Sequence, residues 1–476
     1  MLIIKFIKLD SQDKGMEEEL IKLIWKFNEH WETNKISEEY KNTIRREKYR
    51  TICNYLDKKQ IIAITGLRRV GKTVIMNQII DYLLNKQVDS KRIFYFSFDE
   101  AMVREHIIED IIQYYENNII KEDLKKTRER VYIFIDEIQY VEKWQAILKR
   151  YYDLHYKIKF IISGSSTIPL SKKAKESLAG RVYDFLINPL TFDEYLSFKK
   201  LKPSKPFKKI ELCNLSFLQI KKIYLENIKL KDKISALFRE YTLKGGFPEN
   251  VEEDDLNKVQ AYIINSVVEK IIYKDLPKTF KVRNPDLFLR MLQIISKYSS
   301  NLFSIENIAD VLNVNRNVIA KYLFYLEKAF LIRLSYNYTE SLLKQLRTMK
   351  KGYVSDVGIM NAMLKYDEEI TAYPEIYGKI VETAVFNHCN NKHRVYFFRD
   401  KQKREIDIII AEKEVMPVEV KYKSQITKAD LKNILFFMQE KNLERGIIVT
   451  KDLLKEEKIS NKSILLIPAW LFLLLD

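Results

Sequence analysis

The sequence predicts an α/β protein built on a parallel, doubly wound sheet, followed by a helical middle and a second α/β domain. Three observations carry that reading. Apolar runs of strand length alternate with helical periodicity through the first part of the chain. One of those runs feeds a glycine-flanked loop that opens a helix, and near the C-terminus two β-rich runs flank a short polar turn. At 476 residues the chain exceeds what one core can organise, so about three domains are expected. The segments read as an N-terminal extension (1–40), a parallel-sheet domain (41–198), a helical lid (210–282), a helix-turn-helix segment (283–340) and a C-terminal domain (352–476).

Residues Gly66, Leu67, Arg68, Arg69, Val70, Gly71, Lys72 and Thr73 fit the phosphate-loop pattern G-x-x-x-x-G-K-[ST]. The flanks supply the context that the pattern needs. Ile61 to Thr65 form a β-branched apolar run, while Val74, Ile75, Ile79 and Leu83 repeat at helical spacing. Both glycines let the backbone curl so that N–H groups meet phosphate oxygens at a helix N-terminus. ATP is therefore the expected ligand, with Lys72 on its β- and γ-phosphates and the Thr73 hydroxyl on Mg²⁺.

Further strands are expected at Arg92 to Phe98, Val131 to Ile135, Lys159 to Ile162 and Val182 to Ile187. The run VYIFIDE ends in Asp136 and Glu137, which places two acids at a strand's carboxyl end, where such sheets bind ligands. Asp136 is expected to hold Mg²⁺ through water, and Glu137 to polarise the water that attacks the γ-phosphate. Glu137 directly after Asp136 argues against a small-molecule kinase. The strand KFIISGSS offers Ser163, Ser165 and Ser166 as sensors of the γ-phosphate without selecting among them. Arg181, in SLAGRVYDF, is read either as a group that reaches the nucleotide of a neighbouring subunit in a homo-oligomer or as half of a surface ion pair.

These motifs together resemble the prokaryotic AAA+-like P-loop ATPases: GxRRxGKT at Gly66 to Thr73, a hydrophobic-DEIQ Walker B at Phe134 to Gln139, GSS at Gly164 to Ser166 and LAGR at Leu178 to Arg181. The resemblance runs from about Tyr49 to near the C-terminus. It implies an additional-strand sheet, with the Walker B strand separated from the phosphate-loop strand by one other. It also implies that a winged-helix segment and a C-terminal domain follow.

Phe198 to Lys209, FKKLKPSKPFKK, reads as an exposed basic linker that closes the first domain. The lid that follows is interrupted by Gly245, Gly246, Phe247 and Pro248. Farther on, Ile308, Ala309 and Leu312 lie in one helix and Val318, Ile319, Tyr322, Leu323 and Leu326 in the next, with a turn at Asn313 to Asn315. That is winged helix-turn-helix spacing, and it turns Arg316, Asn317 and Lys321 outward towards phosphates and base edges. A packing module is the alternative.

At the C-terminus, REIDIIIAEKEVMPVEVKY reads as a hairpin centred on Lys413, which sets Asp407 opposite Glu419 and puts Lys421 on the same face as Glu419. Two carboxylates and an ammonium on one patch suit Mg²⁺ or Mn²⁺ acting on a phosphodiester. The pattern resembles the PD-(D/E)xK restriction-endonuclease-like core, which implies a further acid from the preceding helix at Glu382. Ile406 stands where that motif has proline. An active nuclease, an inactive fold of that kind and an ordinary charged hairpin all remain readings of these residues.

Composition bounds the rest. Lys and Arg number 82 against 65 acids, a formal charge of +17, which points to a polyanionic partner such as nucleic acid, with solubility and a biased genome as the other reading. Three scattered cysteines indicate neither zinc nor a disulfide framework and suit the cytoplasm. Neither MLIIKFIKLD nor ILLIPAWLFLLL is long enough to span a bilayer, and Met16 is an alternative start. The expectation is an ATPase coupled to a DNA-binding or nuclease-like module. The alternative is an ATP-dependent switch that acts through protein contacts.

Overall fold

The computed structural model describes residues 18–99, 108–164, 178–205, 212–280, 282, 284–339, 345 and 349–475. The chain divides into two compact units: Met1–Thr65 with Gly71–Ile187, and Gly66–Val70 with Asn188–Asp476.

Five strands make the sheet of the first unit: β1 (Ile61–Gly66), β2 (Ile93–Ser97), β3 (Val131–Asp136), β4 (Ile158–Gly164) and β5 (Val182–Ile187). Their order is β2-β3-β4-β1-β5. The registers from β2 through β3 and β4 to β1 are parallel. One strand, β4, separates the Walker B strand β3 from the phosphate-loop strand β1, as the resemblance implied. β1 is buried along its whole length and β3 at all but one position, which is why both read as apolar runs without alternation.

Residues 18–40, expected as an extension, are part of this unit's core. Leu20, Ile21, Ile24 and Trp31 pack in one cluster with Phe94 and Phe96 of β2, and Trp31 stacks on Phe94 with ring centroids 6.1 Å apart. β2 lies at the edge of the sheet, with backbone groups unpaired on one side. Asn28 satisfies two of them: its Nδ2 donates to the Tyr95 carbonyl at 2.8 Å and its Oδ1 accepts from the Tyr95 N–H at 2.7 Å. On the central strand β4, Lys159 is 1% exposed and its ammonium donates to the carbonyls of Tyr55, Lys58 and Gln60 at 2.8, 2.9 and 2.5 Å.

The second unit holds helices and two sheets. The basic stretch from Phe198 is described as far as Lys205, and it is not simply exposed. Leu201 and Pro203 are buried, while Ser204 exchanges backbone bonds of 2.8 and 2.9 Å with the Asn227 side chain. Counting lysines hid the apolar residues between them, which face inward while the charges face water. A helix at Pro285–Lys297 precedes β6 (Leu302–Phe303), helices at Ile305–Leu312 and Arg316–Lys328, then β7 (Ile332–Ser335) and β8 (Lys350–Val354). Asn313, left-handed at φ 51°, ends the first of the paired helices, and Asn315 caps the second by accepting from Asn317 N–H. The three strands form a sheet in the order β6-β8-β7, so its central strand lies beyond residue 340, where sequence reading ended the segment.

The C-terminal sheet comprises β9 (Val395–Arg399), β10 (Glu405–Ala411), β11 (Val415–Lys421), β12 (Arg445–Thr450), β13 (Lys455–Ile459) and β14 (Lys462–Pro468), in the order β13-β14-β12-β11-β10-β9. β10 and β11 are antiparallel, with Ala411 opposite Val415 and Ile408 opposite Val418, the hairpin register centred on Lys413. The helix Lys428–Glu440 covers this sheet through Leu431, Ile434, Phe437 and Met438. The apolar C-terminal run is core: Ile464, Leu465, Leu466 and Ile467 of β14 and the helix Ala469–Phe472 are buried. No helix among the described residues is long and apolar enough to cross a membrane.

Because Asn28 alone supplies both partners of the Tyr95 backbone on the open side of β2, Asn28→Ala should cost about 2 kcal/mol locally. Amide exchange at Tyr95 should then quicken by about thirty-fold, measured by hydrogen exchange of the full chain.

Candidate functional site

Two places gather candidate functional side chains, one in each unit. In the first unit, β1 runs into the phosphate loop. Gly66 at φ 148° and Gly71 at φ 90° adopt backbone that L side chains avoid. The helix Lys72–Asn85 then opens on Gly71 with no side-chain cap, which suits a helix N-terminus to an anion. Lys72 is 5% exposed, so its charge sits low in the loop rather than out in water. Residues Gly66–Val70 group with the second unit, where Arg68 makes a two-bond ion pair with Asp275 at 2.7 and 2.8 Å and Arg69 meets Glu249 at 3.2 Å.

Asp136, 2% exposed at the end of β3, organises the chemistry. Its Oδ2 accepts from Thr73 Oγ1 at 2.7 Å and from the Tyr95 hydroxyl at 2.9 Å. Its Oδ1 accepts from Ser163 Oγ and, at 3.1 Å, from the Glu137 N–H. Three neutral hydroxyls, from the helix, β2 and β4, thus aim one carboxylate without cancelling its charge. This donor set fits Mg²⁺: a hydroxyl and a carboxylate, both hard oxygens, already lie within contact of one another. Burial, with Asp136 beside it, holds the Tyr95 phenol well above its ordinary pKa, so it remains a donor.

Glu137 follows at φ 54°, a left-handed conformation that costs a non-glycine residue about 1 kcal/mol. That turn re-aims its carboxylate away from the strand, and Gln139 Nε2 donates to Glu137 Oε2. Of the three candidate sensor serines, Ser163 is engaged with Asp136; Ser165 and Ser166 lie outside the described residues. Tyr95 is the residue that sequence reading missed. It lies in the run Arg92 to Phe98, but only the pairing of β2 with β3 shows that its side chain reaches Asp136.

Arg181 does not join this group. Its carbonyl accepts from Ile61 N–H, at the start of β1, and the loop follows the other end of that strand. Its guanidinium pairs with Asp153 at 2.8 and 3.3 Å. Within the chain Arg181 forms the ion pair and, level with the start of β1, stands away from the chain's own loop; the other reading concerns the nucleotide of a neighbouring subunit.

In the second unit, the C-terminal residues converge as the hairpin arithmetic required. The Asp407 N–H donates to Glu419 Oε2 at 3.3 Å, and Lys421 Nζ reaches Glu419 Oε1 at 2.6 Å. A register shift between β9 and β10 falls between Ile406 and Ile409, so Asp407 sits at a bulge that turns its side chain. Glu382 arrives from the helix Pro374–Lys392. Burial, with Asp407 next, pushes Glu382 up to about 7, and the same two causes push Glu419 up to about 8. Burial would raise Asp407 as well, but the Lys351 and Lys421 ammoniums hold it below the usual carboxylate range.

Lys351 is what the sequence did not disclose. It is 1% exposed, and its ammonium lies 2.7 Å from Glu405, 3.2 Å from Asp407 and 3.5 Å from Glu382. The Mg²⁺ or Mn²⁺ expected at Glu382, Asp407 and Glu419 does not fit this donor set, because a positive charge stands among the carboxylates. No group of three or more His, Cys, Asp or Glu among the described residues could hold a metal ion.

Comparison with known proteins bears on the domains that hold these residues. Residues 58–196 match the family described as AAA domain, 235–370 a domain of unknown function (DUF8612) and 377–472 a domain of unknown function (DUF4143). Residues 58–196 are therefore similar to an AAA domain. It is similar to two uncharacterized proteins of Methanocaldococcus jannaschii: MJ1637 at 28% identity, covering 85% of this chain and 83% of that one, and MJ1544 at 27%, covering 86% and 82%. An uncharacterized Haemophilus influenzae protein is 24% identical, over 90% of this chain and 99% of its own. Among solved structures, Aeropyrum pernix ORC1 in complex with DNA aligns over 71% of this chain and 97% of its own, at 12% identity and a TM-score of 0.30. C. elegans PCH-2 aligns over 37% and 50%, at 14% identity and a TM-score of 0.25.

Tyr95→Phe removes a donor from Asp136 while leaving the ring packing in place. Its Mg²⁺ requirement for ATP turnover should rise about tenfold, read from a magnesium titration. Arg181→Ala should leave ATP affinity of the isolated chain within about twofold, since a surface ion pair contributes at most about 1 kcal/mol.

Proposed function

We propose that this chain is a Mg²⁺-dependent ATPase, hydrolysing ATP to ADP and phosphate, that works on nucleic acid through its other domains in the cytoplasm. The buried Asp136, held by Thr73, Tyr95 and Ser163 beside the phosphate loop, is the observation that carries the reading. Magnesium, when bound, offsets the negative charge that develops on the phosphate oxygens. Thr73 and Asp136 orient that ion's coordination shell, Lys72 neutralises the β- and γ-phosphates, and Glu137 polarises the attacking water.

Two features support a nucleic-acid partner. The helices and strands from Pro285 to Val354 follow the order of a winged helix, and Arg316, Asn317 and Lys321 are exposed on its second paired helix. In the first unit, Lys58, Lys59, Arg128, Arg130 and Lys157 line an open cavity of about 500 Å³. They lie just ahead of β1, β3 and β4, at the end of the sheet away from the phosphate loop. None of the five forms an ion pair with a carboxylate among the described residues. Such a cluster repels itself unless an anion is present, and phosphodiester is the anion that a charge of +17 favours.

A second reading, an ATP-driven switch that works through protein contacts with an inactive nuclease-like domain, is favoured by Lys351 among its carboxylates. Phosphate release with and without duplex and single-stranded DNA separates the two: stimulation supports the first reading, and indifference to every form supports the second.

Glu137→Gln should retain ATP binding while turnover falls about a hundredfold or more, and unchanged turnover would remove Glu137 from the mechanism. Lys72→Ala should bind ATP about tenfold or more weakly in an equilibrium titration. Lys58→Glu combined with Lys59→Glu should lower the slope of log DNA affinity against log salt by about two, with ATP affinity unchanged.

A further inference from the structure

The C-terminal carboxylates bury charge that must be matched, and the chain matches it with its own cation. Glu382, Asp407 and Glu419 lie inside the second unit, Glu405 stands beside them, and an isolated carboxylate there would cost several kcal/mol in lost hydration. Lys351 and Tyr353 project from the same face of β8, two residues apart on the central strand of its sheet. Tyr353 stacks on Phe386, with ring centroids 3.7 Å apart, and its hydroxyl donates to Glu382 at 3.0 Å. That packing pins the strand and leaves the lysine one direction to take. Its three N–H groups meet three carboxylates, at 2.7, 3.2 and 3.5 Å, so donors and acceptors are matched in number.

We propose that the Lys351 ammonium is the resident cation of this cluster, standing where a divalent metal would otherwise bind and making the C-terminal domain a metal-independent module. Four carboxylates, Glu382, Glu405, Asp407 and Glu419, face three cations, Lys351, Lys421 and Arg399, the last 3.1 Å from Glu405. At most one formal negative charge is left over, too little to draw a doubly charged ion out of water. Mg²⁺ and Mn²⁺ also need oxygens at about 2.1 Å on several sides. The ammonium already occupies oxygens of Glu382, Glu405 and Asp407 that such an ion would need, and its side chain is 1% exposed on a central strand, enclosed rather than free to leave. The proposal gives the switch reading its chemistry, but no residue of the nucleotide site takes part in it. DNA-stimulated turnover can succeed or fail without touching it.

The test is Mn²⁺ binding to the full chain without nucleotide, followed by electron paramagnetic resonance, in an Asp136→Asn background that silences the first unit. The parent should bind no Mn²⁺ in the cluster, and adding Asp407→Asn should change nothing. Lys351→Ala should gain one Mn²⁺ per chain and lose it again when Asp407→Asn is added. Binding by the parent that Asp407→Asn abolishes would overturn the proposal, whether or not the alanine variant folds. So would Mn²⁺-dependent DNA cleavage by the parent that Asp407→Asn abolishes. A Lys351→Ala protein with parental circular dichroism and no gained Mn²⁺ would count against it equally.

Discussion

A carboxylate taken out of water must be given partners, and the nature of those partners decides what it can still do. Asp136 is surrounded by hydroxyls from Thr73, Tyr95 and Ser163 and by a backbone N–H. These dipoles fix its direction and replace part of its hydration, yet they leave the full negative charge in place. The charge is therefore available to a cation bound with the triphosphate. The sheet serves that arrangement: parallel strands bring β1, β3 and β4 side by side, and the helix after the loop delivers Thr73 to Asp136.

The second unit solves the same problem in the opposite way. Around Glu382, Asp407 and Glu419 the partners include the ammoniums of Lys351 and Lys421, and a guanidinium pairs with the neighbouring Glu405, so the carboxylates meet opposite charge as well as dipoles. A cluster of this kind binds the strands β8, β10 and β11 to the helix Pro374–Lys392 more than it invites an ion. Breaking such a set by removing one member leaves buried charge behind, which is why these networks hold a single geometry. The two sites share residue types and differ in the one property that matters for metal chemistry, the net charge presented to an incoming ion.

The edge of the nucleotide-handling sheet shows how remote segments support a site. Tyr95 can reach Asp136 only if β2 keeps its register on β3, and among the described residues β2 has no neighbouring strand on its outer side. The N-terminal helices occupy that side, with Asn28 bonded to the backbone of Tyr95 itself. A segment that looks dispensable in the sequence thus fixes a hydroxyl that touches the central carboxylate.

The sequence by itself determined the elements whose chemistry is local. The glycines at 66 and 71, the lysine and threonine that follow, and the paired acids after an apolar strand can be read because backbone curl, helix opening and strand exit all depend on near neighbours. The Asp407 and Glu419 pairing was legible for the same reason: a tight hairpin converts counting into geometry. Only the tertiary structure decided which strands lie side by side and which remote side chains meet. Tyr95 lies 41 residues from Asp136, and Lys351 lies 56 from Asp407. Neither has a motif to announce it, because a tyrosine in an apolar strand and a lysine in a basic chain look ordinary until packing closes water out around them. Arg181 shows the converse. A recognisable motif tied it to nucleotide chemistry, but its place level with the start of β1 sets it at the end of the sheet away from this chain's own loop.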